Sequence, residues 1–585
     1  MRSVGLCVGM AALAVACSPP AATTHATPPT PPATKPPIVA PPPAHTLTII
    51  GTNDLHGALD RLPLFGGYIA NLRAARAADG GGVVLVDGGD LFQGTLESNL
   101  AEGVDVVRAY HQLGYAATAI GNHEFDYGPV GPAVIAKDGQ DPRGALKARA
   151  AEATFPFLVT NIFDAKTGQR IAWPNVAASR MLEVAGVEVG ILGASTQATP
   201  FTTMPANFVG LEMAKPTAKY VTAEAQALRD HGAQVVVLAM HVGSECKDND
   251  HPDDISSCDQ HEELFDVLRD VPKGLVDVVV AGHTHAAIAH TIDGAAVIES
   301  YSSGRAFGRV DLSVAGGRVT HVEIHKPEVM CALDKDENPQ AVHDCHPPDY
   351  EGKPVVPDPA LQKIVDDALA RTAAQRNEKL GITLTGPITK AYKTESIEGD
   401  WFTDLMLAAR PEANVALTNG GGLRADIPAG ELTYGQLFEA TPFDNRFALV
   451  KLEGKDLRKL VRANLRRDGG FFSFGGLTAV ARCKEGKLDL AIEVGGKPLS
   501  DTRRYTLVTS DFLASGGDGV IGKLELPTGS ITVTDSIMRE GMAAVLRKQR
   551  GKTLDPKTLF DAKHKRMDYE GRRPVTCAGA EKDDE

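Results

Sequence analysis

Four short strings hold most of the chemistry in this chain of 585 residues. They are Asp54-Leu-His56, Gly88-Gly-Asp90, Gly121-Asn-His-Glu-Phe-Asp126 and Gly282-His-Thr-His285. With His241 they offer carboxylate, imidazole and amide ligands: Asp54, His56, Asp90, Asn122, His241, His283 and His285. That mixed nitrogen and oxygen set suits two divalent cations side by side, with zinc, manganese, cobalt and iron all chemically acceptable. Two adjacent cations neutralise phosphate oxygens and supply a hydroxide nucleophile at neutral pH, so the chemistry to expect is phosphoester hydrolysis. Asp90 is the expected bridging carboxylate, because Gly88 and Gly89 permit a close approach; Asp87 is its competitor. His123 and Asp126 are three residues apart and share a face if the segment turns helically. A carboxylate on one ring nitrogen would fix the tautomer and favour the protonated ring, giving His123 a role beside the metals.

Each string alone has a plainer reading. An Asp after a strand is commonly a turn former or a helix cap, and a single His is commonly a hydrogen-bonded structural residue. Their order and their placement give them weight. Apolar runs at 47–50, 83–86, 118–120, 157–160, 187–192, 235–240 and 276–281 read as strands, with helix-like stretches at 67–78 and 217–231 between them. Continuous Val, Ile and Leu runs suit strands covered on both faces. The pattern predicts an α/β class, with a layered α/β/α domain over 46–330. Asp54, Asp90, His241 and His283 fall just beyond strand ends, where such sheets carry their functional groups.

The segment 331–380 reads as a polar, Pro-rich linker followed by one connecting helix over 358–380, and 381–577 as a second α/β domain. The formal charge of −14 disfavours a nucleic-acid polymer as partner, since a phosphate backbone needs a basic footprint. Residues 1–17 read as an export signal ending in Ala14-Val-Ala-Cys17, which resembles a lipobox and makes Cys17 a lipid-anchored first residue at a bacterial membrane. An ordinary cleaved signal peptide is the alternative. Residues 18–45, rich in Pro, Thr and Ala, read as an extended tether, and 578–585 as an acidic tail. Export implies an oxidising compartment. Cys246 with Cys258 and Cys331 with Cys345 are the simplest pairs, each closing a short polar loop, which leaves Cys483 with Cys577; a zinc site is the rival.

The strings together resemble the 5′-nucleotidase / UDP-sugar hydrolase family of calcineurin-like metallophosphoesterases, from about residue 46 to the end of the second domain. By that resemblance, Asp54, His56, Asp90 and His285 would hold one metal, and Asp90, Asn122, His241 and His283 the other. His123 and Asp126 would form the catalytic dyad. In the second half, Asn419-Gly-Gly-Gly-Leu-Arg424, Thr441-Pro-Phe443 and Asp511-Phe-Leu-Ala-Ser-Gly-Gly-Asp518 match further family motifs. They imply that Asn419 and Arg424 belong to the substrate loop, that Phe443 and Phe512 sandwich a nucleobase, and that Asp518 accepts from ribose hydroxyls. Without the resemblance both Phe would be read as core. Two departures concern the substrate: Ser396-Ile-Glu-Gly-Asp400 stands where the family commonly has Gly-Asn, and Thr394 and Lys393 stand where some members carry a further phosphate-binding Arg.

The resulting expectation is an exported dimetal phosphohydrolase that releases phosphate from nucleotides by in-line attack of a metal-activated water. The amino domain cleaves and the carboxyl domain grips the nucleoside. The resemblance also implies rotation between the domains, with the 358–380 helix as the place for a hinge. Alternatives on the same fold are a 2′,3′-cyclic phosphodiesterase, a nucleotide-sugar hydrolase or a sulfur-oxidation hydrolase; the Phe pair argues against a small sulfur substrate. A non-catalytic surface lipoprotein is the reading from another class, and the full ligand set argues against it.

Overall fold

The computed structural model describes residues 45–331, 345–560 and 565–577. The signal, Cys17, the tether before His45 and the acidic tail lie outside the described residues. Among the described residues no helix is long and apolar enough to cross a membrane.

The amino half has two large sheets beside a two-stranded one, Ile162–Asp164 with Leu211–Met213. One has seven strands in the order Arg318–Val329, Ala306–Ala315, His45–Thr52, Gly82–Asp87, Ala117–Ala119, Phe157–Leu158, Val176–Ala177. The other has six, in the order Ala287–Ile292, Ala295–Ser300, Val278–Ala281, Val235–His241, Val187–Ser195, Ser179–Val184. The layered expectation thus gains a second sheet. The apolar runs explain it: Ile49, Val84 and Val86 from one sheet and Val189, Val237 and Val280 from the other form a single buried cluster. Opposite faces of the strands feed separate clusters that include helical residues. Tyr68 and Leu72 of the helix Leu62–Asp79 join one, and Val221 and Leu228 of Thr217–Asp230 join another. The central strands are therefore covered on both sides, as continuous β-branched runs require, while the outer strands Arg318–Val329 and Ser179–Val184 stay partly exposed.

The central strands of both sheets run parallel. In one, His45–Thr52, Gly82–Asp87 and Ala117–Ala119 pair in sequence; in the other, Val187–Ser195, Val235–His241 and Val278–Ala281 do so. Parallel strands release their following loops at one end, and those loops carry the four strings.

The connecting helix is shorter than expected. It spans Pro359–Arg376, with Asp358 as its cap accepting from Ala360 and Leu361 N–H. Leu380 lies instead in the strand Lys379–Leu384, whose alternating burial matches a half-covered strand rather than a helix. Asn377 ends the helix, and Arg376 reaches both Glu97 of the amino half (2.7 Å) and Glu439 of the carboxyl half (2.8 Å).

The carboxyl half centres on a five-stranded sheet ordered Phe472–Gly475, Val415–Asn419, Arg504–Ser510, Arg446–Glu453, Ile531–Ile537. Val415–Asn419 and Arg504–Ser510 are adjacent and parallel, so the loops after them emerge together. The disulfides are Cys246–Cys258, Cys331–Cys345 and Cys483–Cys577, the expected pairs. The first stands near His290, but its sulfurs bind each other and offer no thiolate to a metal.

Candidate dimetal and nucleotide site

The structure brings the seven candidate ligands to one end of the two sheets. Asp54, His56 and His285 have ligand atoms within 4.8 Å of one another, and so do Asp90, His241 and His283. The first set has His56 Nε2 at 2.9 Å from His285 Nε2, and His285 Nε2 at 3.4 Å from Asp54 Oδ1. In the second, His241 Nε2 lies 3.0 Å from Asp90 Oδ2 and 3.1 Å from Asn122 Oδ1. Backbone carbonyls orient two rings: Gln93 O meets His56 Nδ1 and Gly88 O meets His241 Nδ1, each at 2.8 Å. Each Nδ1–H donates outward, which leaves Nε2 for the centre, the usual arrangement behind a metal-binding His.

The donor set fits divalent cations. Asp54 Oδ1 is buried without a hydrogen-bond partner. Burial holds His56, His283 and His285 below the usual imidazole range, His283 at about 3, so these rings are kept neutral, the form that binds metal. Burial also opposes charge on His241, yet Asp90 and Asp54 lift it to about 10. That pull measures how strongly the cavity attracts positive charge.

Backbone conformation is unusual here. Asp54, His56, Asp90, His283 and His285 all have positive φ, between 50° and 84°. Non-glycine residues seldom adopt that region, and such outliers cluster at functional sites. A short ladder holds the first three: Asp54 N to Gly89 O, His56 N to Asp90 O and Gly57 N to Leu91 O, at 2.8 to 3.0 Å, and His283 N donates to Asp54 Oδ2 at 2.9 Å.

His123 and Asp126 meet as the spacing implied. His123–Phe125 is a single 3-10 turn, and His123 Nδ1 lies 2.5 Å from Asp126 Oδ2. Thr203 Oγ1 donates to the other Asp126 oxygen at 2.9 Å. Burial opposes a charge on His123, but Asp126 and Asp90 together raise it above its ordinary value. Its Nε2 faces Asp90 Oδ2 at 4.0 Å.

Asp87 does not face the metal cavity residues. Thr52, Tyr110 and Thr118 hydroxyls and the Gly89 N–H all donate to it. Three residues absent from the sequence-based site stand directly behind the ligands. Glu124 accepts from the N–H groups of Asp90, Leu91 and Gly121 at 2.7 to 2.9 Å, tying two ligand loops together. Asn53 donates to Asp54 Oδ2 at 2.8 Å, and Glu299 accepts from the Thr284 hydroxyl at 2.6 Å. Glu124 sits inside one of the strings and Asn53 directly before another, in Gly51-Thr-Asn-Asp-Leu-His-Gly57, so both could have been found there; Glu299 had no such signal.

From the carboxyl half, Arg424 comes to the metal cluster. Its Nη2 lies 3.0 Å from His56 Nε2, and its guanidinium is 5.7 Å from the Phe443 ring centre. Phe443 in turn is 5.5 Å from the His123 ring. Asn419 donates to Asp518 Oδ2 at 2.9 Å. Phe512 is half-buried, and its ring lies against Gly517, where an added Cβ would meet it at 2.5 Å. The structure thus gathers Arg424 and Phe443 at the metal end, and Asn419, Phe512 and Asp518 around the paired strand exits.

Comparison with known proteins agrees with both halves. Residues 47–287 match the calcineurin-like phosphoesterase family, and residues 373–523 match the 5′-nucleotidase C-terminal domain. Protein UshA of Yersinia enterocolitica is 25% identical over 507 residues, covering 81% of this chain and 86% of that protein. A 5′-nucleotidase of Vibrio cholerae is 25% identical over 521 residues, with the same coverage of 81% and 86%. The crystal structure of a 5′-nucleotidase precursor from Thermus thermophilus superposes with a TM-score of 0.67 at 23% identity, over 87% of this chain and 97% of that one; it shows the shared fold. The chain belongs to the calcineurin-like phosphoesterases that carry a 5′-nucleotidase C-terminal domain, a family of metal-dependent phosphoric ester hydrolases.

Proposed function

We propose that this protein is an exported, lipid-anchored nucleotide phosphohydrolase that removes phosphate from a nucleoside. The observation that carries the reading is the approach of Arg424 to His56, 368 residues away in sequence, which joins the nucleotidase domain to the metal cluster. A planar guanidinium beside two imidazoles and two carboxylates matches a tetrahedral phosphate, which Arg can grip with two parallel hydrogen bonds.

Asp54, His56, Asp90 and His285 would hold one cation, and Asp90, Asn122, His241 and His283 the second, with Asp90 shared. Bound there, two divalent ions lower the pKa of a coordinated water and neutralise the phosphate oxygens. Arg424 orients the phosphate for in-line attack. His123, held in one tautomer by Asp126, presents Nε2–H toward the reacting group and favours the charge that develops there. Asn419 orients Asp518, which accepts from the ribose, and Phe443 and Phe512 flank the base. The domain plan follows: 46–330 for catalysis, 331–380 for connection and 381–577 for substrate. Residues 1–17 would direct export and lipidation at Cys17, and 18–45 would hold the enzyme off the membrane.

The test is phosphate release from a panel of nucleoside mono-, di- and triphosphates, cyclic nucleotides and nucleotide-sugars. Purified protein would be treated with chelator and then supplied with zinc, manganese, cobalt or iron in turn. Turnover should vanish with chelator and return with at least one metal. Metal-loaded protein that hydrolyses none of the panel would sink the reading.

A further inference from the structure

On an acidic chain, one cavity is basic. It measures about 460 Å³ and is lined by Lys393, Arg467, Lys565, Arg572 and Arg573, with Asp468 and Asp568 as its acidic members. Asp568 is engaged by Arg482 at 2.5 Å. Arg573 is spent on structure: it donates to the carbonyls of Asn464, Lys393, Arg467, Gly469 and Gly470, which fixes the cavity wall. The other four cations are different. Among the described residues no carboxylate lies within ion-pair distance of Lys393, Arg467, Lys565 or Arg572, and Arg467 Nη1 is buried without a hydrogen-bond partner. Asp468 alone is left in the lining to offset them, and Arg467 also lies over the Phe472 ring at 4.7 Å, so the concavity keeps an excess of positive charge that favours an anion among them.

The cavity adjoins the nucleoside end of the site. Its wall residues Arg467, Asp468 and Gly469 run directly into Gly470 and Phe471, and Phe471 O accepts from Gly420 N at 2.7 Å, in the glycine loop beside Asn419. Tyr392, next to Lys393, lies over that junction: a Cβ added to Gly470 would meet its ring at 3.2 Å, and one added to Gly421 at 3.9 Å. Tyr392 is 52% exposed, a large aromatic left open between the two spaces. Burial pushes the Asp518 carboxyl up, and the Arg467 guanidinium acts against that, so Arg467 feels the ribose-side carboxylate.

We propose that this cavity is a second phosphate subsite, which takes a phosphate carried on the ribose of a substrate whose 5′-phosphate lies at the metals. The substrate class is a nucleoside 3′,5′-bisphosphate. The proposal rests on the nucleotidase reading and deepens it. A phosphate among Lys393, Arg467, Lys565 and Arg572 would gain charge-assisted hydrogen bonds that a nucleoside 5′-monophosphate cannot make.

The test compares adenosine 5′-monophosphate with adenosine 3′,5′-bisphosphate on the metal-loaded full chain. It uses the wild type, the Lys565→Glu/Arg572→Glu double variant and Arg467→Gln. Lys565 and Arg572 are exposed, so reversing them leaves the fold in place. The bisphosphate should have a KM about tenfold lower than the monophosphate, and the double variant should raise only the bisphosphate KM by about the same factor. Arg467→Gln should act in the same direction. Equal changes for both nucleotides, or none for either, overturn the subsite while leaving the nucleotidase reading intact. Should neither nucleotide be hydrolysed, the nucleotide panel decides the nucleotidase reading, and calorimetry with pyrophosphate decides the cavity by itself. Binding weakened in the double variant supports an anion site, and unchanged or absent binding overturns it. Inorganic phosphate that protects as well as the bisphosphate would assign the cavity to free anion and overturn the substrate role.

Discussion

The candidate metal end and the proposed nucleoside end of this site are built by opposite means. At the metal end, buried side chains converge from two sheets, and each follows a strand whose register is fixed by its neighbours. Carbonyls and carboxylates behind them set ring and loop positions. At the nucleoside end, half-exposed groups sit on glycine-rich turns after two parallel strands. The first arrangement tolerates no change of ligand position; the second allows substrates to differ. On the proposed function, reaction type would belong to the rigid end and choice of substrate to the adaptable one.

The sharpest way to break that division is at Asp90. Asp90→Asn keeps the shape but removes the charge that draws on His241 and on which a second cation would depend. Turnover should fall by about a thousandfold or more for every nucleotide tested, as expected when a bridging ligand is lost. A loss confined to some nucleotides would show that the metal end also selects substrate. At the other end, Phe443→Ala and Phe512→Ala should raise KM by roughly ten- to a hundredfold, since aromatic stacking of a base contributes about 1–3 kcal/mol, with kcat little changed. Steady-state kinetics on one purine and one pyrimidine nucleotide would check this. Equal losses in kcat would place the rings in the chemistry rather than in binding.

The smallest expected effect lies outside both ends. Glu398 is fully buried, and neither of its carboxylate oxygens has a hydrogen-bond partner. Burial, with Asp426 nearby and only Lys390 opposing, raises its pKa well above the usual carboxylate range. In the unfolded chain Glu398 ionises near its ordinary value, whereas in the folded chain it stays protonated. Its stabilising contribution is therefore complete below the unfolded pKa and is lost as pH rises toward the folded one. Glu398→Gln has no such proton to lose. The melting temperature of the variant should gain on the wild type between pH 5 and pH 8, by scanning calorimetry at several pH values. A constant difference across that range would remove the buried-acid explanation.

How much was legible in the sequence follows the same division. The strands, the convergence of the seven candidate residues and the His123–Asp126 contact were readable because each depends on local spacing and on a strand end. The second sheet was not, since a run such as 187–192 says that a strand is buried on both faces without saying by what. Nor could local spacing reveal that Arg424 meets His56, or that Glu299 supports Thr284 from another strand. Those contacts depend on how whole elements pack. The overlong helix at 358–380 had a similar cause: Leu380 fits an apolar helical period, but it also fits the alternation of Lys379–Leu384, and pairing with Gly430–Thr433 decided for the strand.

The left-handed backbone of five candidate ligands has a consequence for how portable this chemistry is. Each such residue costs about 1–2 kcal/mol relative to ordinary conformations, so five together approach the net stability of a whole domain. Part of that cost is offset here by the ladder between the Asp54 and Asp90 loops, by Glu124 behind them and by the bond from His283 N to Asp54. Grafted onto another scaffold, the same letters would relax into common turns and their side chains would point apart. An Asp-Leu-His or Gly-His-Thr-His string met elsewhere is therefore a metal site only where a second loop is present to hold it in this shape. Designers who wish to move the site must move the opposing loop with it.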